Sequence, residues 1–214
     1  VITLHHLQFS RSFRILWALE ELRLDYQIKY YKRTPHYAAP DELKKIHPLG
    51  KAPILTDGDL TIAESALILD YLQEKYDVNK QFKPQNSEHL MQYNYWMHYA
   101  EGSLMPLLVM KLVLSQASGK FPPVIQPVAN EVVNGVKSGY IAPRVSDHIE
   151  FLESHLSARD FFAGDFSFAD IQMSFPIIAL QERVQEQYLK IKVYSDKIQQ
   201  RPAFIRAKEK SASL

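Results

Sequence analysis

The chain of 214 residues contains no cysteine. That absence excludes disulfides, thiolate metal sites, a cysteine nucleophile and Cys-x-x-Cys redox exchange, and it fits a reducing compartment, so a cytoplasmic location is expected. No apolar run is long enough to cross a bilayer. Charge is nearly balanced, at a formal net +1, which gives no argument for a nucleic-acid partner or an anionic membrane surface. There is no G-x-G-x-x-G and no P-loop, and Gly135-Val136-Lys137-Ser138-Gly139 lacks phosphate-loop spacing. The eight histidines show no ligand pattern. His148 and His155 can share a helix face, but no carboxylate completes a site, so no metal is expected. The chain opens at Val1 without a signal-peptide pattern.

What is present centres on Lys51-Ala52-Pro53-Ile54-Leu55, followed by Asp57-Gly58 and Glu64-Ser65. Proline gives up a ladder hydrogen bond and belongs at a strand start, and an X-Pro bond tolerates the cis form. Asp57-Gly58 suits a two-residue hairpin turn. Glu64-Ser65 places an acid and a hydroxyl at a helix start, where free N–H groups favour a carboxylate ligand. Together these segments form a corner suited to an extended peptide, with the Ala52 backbone as its pairing edge.

Residues 2–7 read as a strand, residues 12–23 as a helix, and Tyr26, Ile28 and Tyr30 as an alternating strand. A short helix near Asp41–Ile46, the hairpin and a helix marked by Ala66, Leu67, Leu69, Leu72 and Tyr76 follow. Residues 77–86 are polar, include Pro84 and read as a linker. Beyond them no strand pattern appears. Residues 87–117 are helical in composition, a long helix spans roughly Asn130 to Leu156 with a kink or split at Pro143, and further helices begin near Ser167 and Lys192. Ser167-x-x-Asp170, flanked by Phe166 and Ile171, has the form of a capping box with a hydrophobic staple and reads as a folding element. His98 and Glu101 are spaced as a helical i, i+3 pair.

Four blocks, Ser10-Arg11-Ser12-Phe13-Arg14-Ile15-Leu16-Trp17, Ile46-His47-Pro48-Leu49-Gly50-Lys51-Ala52-Pro53-Ile54-Leu55, Ala63-Glu64-Ser65-Ala66 and Ser167-Phe168-Ala169-Asp170, stand in the order found in glutathione S-transferases. The chain resembles that family, and within it the serine-type enzymes of bacteria and fungi, including the Gtt-like group. The resemblance implies an α+β thioredoxin-like domain (βαβ, a variable helix, then ββα) at residues 1–76, a linker at 77–86 and an all-α domain at 87–214. It implies a homodimer that uses glutathione as cosubstrate in detoxification. A thioredoxin-like half with no cysteine is not of the cysteine type.

The resemblance puts Ser10 on the catalytic serine, with Ser12 as its rival and helix capping as the alternative role. Such a hydroxyl hydrogen-bonds the thiolate and lowers the thiol pKa from its free value of about 8.5. Arg11 adds positive potential or is a solvated charge, and Arg14 makes structural pairs. By the same resemblance Ala52 offers its backbone to the cysteinyl part, Pro53 fixes that backbone, Lys51 and His47 approach the glycyl carboxylate, Glu64 takes the amino group and Ser65 the γ-glutamyl carboxylate. The aromatic stretch from Tyr93 to Pro106, with Leu107 just after it, supplies Tyr99, Ser103 and Leu107 as candidates for an apolar electrophile pocket. Family members often have glycine near Arg23, just past the first helix, where φ can be positive; Arg23 departs from that pattern and would cost about 1 kcal/mol if the angle is kept, which leaves the local turn open. Two alternatives stay open: a glutathione-dependent peroxidase or isomerase, and a non-catalytic binding or regulatory module of the same fold.

Overall fold

The computed structural model describes residues 1–181 and 188–212. Residues 182–187 and 213–214 of the C-terminal span lie outside the described residues. The N-terminal half is a four-stranded sheet in the order β2-β1-β3-β4. β1 (Ile2–Leu7) is central, parallel to β2 (Tyr26–Tyr31) and antiparallel to β3 (Ile54–Asp57), which pairs antiparallel with β4 (Leu60–Ala63). β1 is buried along almost its whole length, whereas edge strand β2 alternates between half-buried and exposed positions over most of its length. α1 (Ser12–Leu22) buries Ile15, Leu16, Trp17, Ala18 and Leu19. It ends at Arg23 in the left-handed conformation (φ 53°, ψ 42°), so the turn is kept without a glycine, with the Arg23 N–H on Glu20 C=O and the Leu24 N–H on Leu19 C=O. A 3₁₀ turn spans Asp41–Lys45, and α2 is Ser65–Tyr76.

The hairpin turn sits one residue later than the sequence suggests. Asp57 is still paired, with Leu60, and the two-residue loop is Gly58-Asp59, with Gly58 at φ +61°. Asp57 has other work. Tyr71, Tyr76 and, at 2.9 Å, Lys75 donate to its Oδ2 and hold its carboxyl well below the usual carboxylate range.

Every remaining described element is helical: α3 (Ser87–Tyr99), α4 (Met105–Ala117), α5 (Gln126–Val136), α6 (Ala142–Ser157), α7 (Phe168–Gln181), α8 (Leu189–Gln199) and α9 (Pro202–Ser211). α3 runs into α4, and α5 into α6, through π turns at Ala100–Leu104 and Lys137–Ile141. Each π turn ends two residues before a proline, Pro106 or Pro143. Proline has no N–H for the i−4 carbonyl and crowds it, and a wider turn relieves both problems without breaking the rod. The expected disturbance at Pro143 is therefore a π turn just before it. α8 begins three residues earlier than its composition suggests, and α9 has no counterpart in the sequence reading.

The capping box is only half formed. The Ser167 N–H donates to Asp170 Oδ2 at 2.9 Å, but Ser167 Oγ also faces that oxygen, at 3.2 Å, and the Asp170 N–H bonds the Ser167 carbonyl instead. Asp170 Oδ1 accepts from Phe162 N–H at 3.0 Å and Tyr194 OH at 2.8 Å. Burial pushes this fully enclosed carboxyl up to about 6, against the pull of its donors. Phe166 and Ile171 are both buried, at the staple positions.

The two halves share one core. Trp17 of α1 is 0% exposed and packs against Phe166 and against Phe204 of α9. The segment 77–86 is not merely a polar connection: Phe82 is buried between Phe166 and Phe168, and Asp77 caps the N–H groups of Gln81 and Phe82. On α1, Glu21 takes both arms of Arg201, while Glu20 receives Arg206 at 2.7 Å, Lys210 at 2.5 Å and the Tyr26 hydroxyl. Burial alone would raise the Glu20 carboxyl, and Lys210, Tyr26 and Arg206 overcome it, so the group lies below its ordinary value. A depressed carboxylate stabilises the fold above its unfolded pKa, and that stability is lost as pH falls through the folded value. Glu20→Gln is expected to lower Tm at neutral pH and to flatten the fall of Tm between about pH 5 and 3. Thermal melts across pH check this, and an unchanged acid limb would remove Glu20 from the linkage.

Candidate active site

The Ala52–Pro53 bond is cis, and β3 starts at Ile54, so Ala52 lies outside the sheet ladder. Glu64 caps α2 at φ 72°, a left-handed position that a non-glycine residue adopts only when its surroundings impose it. Ser65, one residue on, is 4% exposed. Gly50 (φ +56°) lets the chain turn tightly from His47, whose carbonyl accepts the Gly50 N–H at 2.8 Å. These turns bring Arg11, His47, Lys51, Ala52, Pro53, Glu64 and Ser65 around one cavity of about 270 Å³, with Leu49, Ala63 and Glu101.

The sequence offers Glu101 only as a helical i, i+3 partner of His98. It comes from the π turn after α3 and does not pair with His98, which is exposed. It reaches α1 instead, accepting from Arg11 Nε at 2.8 Å and from Arg14 Nη1 at 2.5 Å. Arg14 is completely buried, and that burial lowers its guanidinium to about 10, so it stays charged at neutral pH. Burial raises the Glu101 carboxyl, but Arg11 and Arg14 more than offset this. Both guanidinium groups also lie over the Phe175 ring, at 5.4 and 5.3 Å.

Ser10 faces a second cavity, of about 200 Å³, with His6, Phe9, Phe13, Ser174, Phe175, Ile178 and Ser211. Neighbouring residues Ser10 and Arg11 thus each line a different cavity. Ser10 Oγ accepts the Ser12 N–H at 3.2 Å and lies 2.8 Å from Ser12 Oγ. Ser12 is fully enclosed. Its oxygen accepts the Leu7 N–H at 3.1 Å and lies 3.2 Å from the Leu7 carbonyl and 2.9 Å from His6 Nδ1. Arg33, without a sequence signal, clamps the loop before Ser10 through the carbonyls of Gln8 and Phe9, at 3.0 and 2.9 Å.

Tyr99, Ser103 and Leu107 line neither cavity. Tyr99 is buried, hydrogen-bonds His148 and joins Tyr95, Trp96 and Phe151 in an aromatic cluster. Leu107 is buried and Ser103 is exposed. His155 stacks against Phe162 and bonds its carbonyl, so both histidines of α6 point into packing.

Residues 1–74 match the family model described as "Glutathione S-transferase, N-terminal domain". Glutathione S-transferase 3 of Schizosaccharomyces pombe is 40% identical across 98% of this chain and 88% of its own length. Glutathione S-transferase 1 of Saccharomyces cerevisiae is 34% identical across 100% of this chain and 97% of its own. A crystal structure of a glutathione S-transferase from Actinobacillus pleuropneumoniae superposes with a TM-score of 0.79 at 31% identity, over 99% of this chain and 93% of that one. With sequence similarity over its whole length, a thioredoxin-like half and a helical half that superpose on such a structure, the chain belongs to the glutathione S-transferase family.

Proposed function

We propose that this glutathione transferase is of the serine type, binding glutathione in the cavity that residues of the N-terminal half form with Glu101 and activating its thiol with Ser10. The observation that carries the reading is the gathering of Lys51, Ala52, Pro53, Glu64 and Ser65 on one cavity that Arg11, the chain neighbour of Ser10, also lines, while Ser10 lines the second cavity. Glutathione carries two carboxylates and one ammonium in an extended peptide. Lys51 and His47 suit the glycyl carboxylate, the free backbone of Ala52 suits the cysteinyl amide, Ser65 and the α2 N-terminus suit the second carboxylate, and Glu64 suits the ammonium. Arg11 adds positive potential beside Ser10, with Glu101 holding it in place.

Ser12 is saturated and enclosed, which supports Ser10 as the hydroxyl that meets sulfur. The wall of Phe9, Phe13, Phe175 and Ile178 supports an apolar electrophile entering beside Ser10 rather than at Tyr99, Ser103 and Leu107. A homodimer accords with apolar side chains such as Leu67 and Met91, which stand 57% and 70% exposed. A thiol cosubstrate and a chain without cysteine accord with a cytoplasmic location.

Glu64 is exposed, so its loss can be read on binding without a folding defect. Glu64→Ala is expected to weaken glutathione binding by roughly tenfold to a hundredfold, the range of one hydrogen bond to a charged group. Calorimetric titration measures it, and unchanged affinity would take Glu64 out of the site.

A further inference from the structure

No sequence signal singles out His6, yet its ring links the C-terminal helix to the Ser10 hydroxyl. Ser211 Oγ lies 2.9 Å from His6 Nε2, His6 Nδ1 lies 2.9 Å from Ser12 Oγ, and Ser12 Oγ lies 2.8 Å from Ser10 Oγ. Ser211, His6 and Ser10 also share the walls of the second cavity. The ring is 1% exposed, and burial lowers its pKa to about 4, so it is neutral and carries one proton. The position of that proton sets the direction of the whole chain.

Ser12 Oγ offers one proton and two lone pairs, and the Leu7 N–H occupies one of those pairs. With the ring proton on Nε2, bare Nδ1 accepts the Ser12 proton, and the remaining Ser12 lone pair accepts from Ser10. The Ser10 proton then points into the protein, and its oxygen presents lone pairs that repel a thiolate. With the ring proton on Nδ1, Ser12 accepts from both His6 and the Leu7 N–H and donates to Ser10 at 2.8 Å, the nearer of its two acceptors, the Leu7 carbonyl lying at 3.2 Å. Ser10 then accepts from the Ser12 O–H and N–H, and its own proton is left for the cavity. Two donors into its oxygen also polarise that O–H and strengthen it as a donor.

We propose that His6 is a positioning residue, held as the Nδ1–H tautomer in the glutathione complex by a hydrogen bond from Ser211 to Nε2, and that through Ser12 it aims the Ser10 proton at the thiolate. The proposal rests on Ser10 being the hydroxyl that meets sulfur. No proton changes owner in this device; only the direction of the hydrogen bonds is set.

Two measurements on the full chain test it. In protein labelled with ¹⁵N-histidine and saturated with glutathione, the His6 resonances, assigned by their loss in His6→Gln, should show a protonated Nδ1 and a bare Nε2. A protonated Nε2 in that complex overturns the proposal. In His6→Gln the amide reaches towards the Nε2 end of the ring and leaves the Nδ1 place empty. The pKa of bound glutathione, read from its thiolate absorbance, should rise by about one unit, with kcat/KM below that pKa falling about tenfold and glutathione affinity kept within about twofold. An unchanged thiol pKa in folded His6→Gln also overturns it. Ser10→Ala, titrated alongside, separates the two layers. If it leaves the thiol pKa unchanged, the assignment of Ser10 fails; if it raises the pKa while His6→Gln does not, the relay alone fails.

Discussion

Ser10→Ala is expected to lower kcat by about a hundredfold or more while changing glutathione affinity by no more than a few-fold. The magnitude is that of removing one preorganised donor from a developing anion, and the split follows because the hydroxyl acts on sulfur rather than on the peptide's charged ends. The Ser10 side chain contributes little to packing: its oxygen accepts one N–H and meets Ser12, and the cavity takes its remaining face. Ser12→Ala is expected to have two effects. It removes the acceptor of the buried Leu7 N–H, a loss of stability of about 1–3 kcal/mol, and it cuts the link from His6 to Ser10, which lowers kcat/KM below the thiol pKa by about tenfold. Steady-state kinetics and thermal melts on the two variants decide the matter. A large fall in kcat for Ser12→Ala at unchanged Tm, with Ser10→Ala active, would exchange the roles.

The largest stability effect is expected at Asp170. Its carboxylate is fully buried and ties together the Phe162 N–H, the Ser167 N–H and hydroxyl, and the Tyr194 hydroxyl. Asp170→Ala strands these donors in a place water does not reach, at a cost of about 3–5 kcal/mol, or roughly 10 °C in Tm for a chain of this size. Asp170→Asn should recover only part of this. Its oxygen can serve Phe162 and Tyr194, but its amide then meets the Ser167 N–H donor to donor. Urea unfolding of the three proteins measures the order, and a loss below about 1 kcal/mol in the alanine variant would reduce Asp170 to an ordinary helix cap.

That difference between a cap and a hub marks where the sequence stops being legible. Ser167 and Asp170 are three residues apart, so their contact is visible in a string of letters. Phe162 and Tyr194 arrive through the fold. The same boundary runs through the rest of the molecule. The strands 2–7 and 26–31 and the α1 span were readable because periodicity is local, whereas the left-handed turn at Arg23 was not, since arginine carries no signal for a positive φ. The hairpin turn was off by one because Asp57-Gly58 and Gly58-Asp59 both suit a tight turn, and the pairing of Ile54 with Ala63 chooses between them. Lys51, Ala52, Pro53, Glu64 and Ser65 were legible as a peptide-binding corner from turn and helix-start chemistry, and the separate role proposed for each only through resemblance to a family. Glu101, His6 and Arg33 were not, because each acts on a partner that sequence distance hides: Arg14 lies 87 positions from Glu101, and Ser211 lies 205 from His6. α9 was missed altogether. Its short apolar stripe has meaning only against α1, where Phe204 meets Phe13 and Trp17 at 5.0 Å.

The docking of α9 onto α1 also bears on how the chain comes into being. A ribosome delivers α1 long before α9. Until α9 emerges, Trp17 lacks the Phe204 ring that covers it, and Glu20 faces neither Arg206 nor Lys210. The early half can draw its strands together while synthesis continues, but its helical layer is sealed only by residues made long after it. The part of the protein that reads as a separate domain therefore reaches its final form only once the helical half has been made.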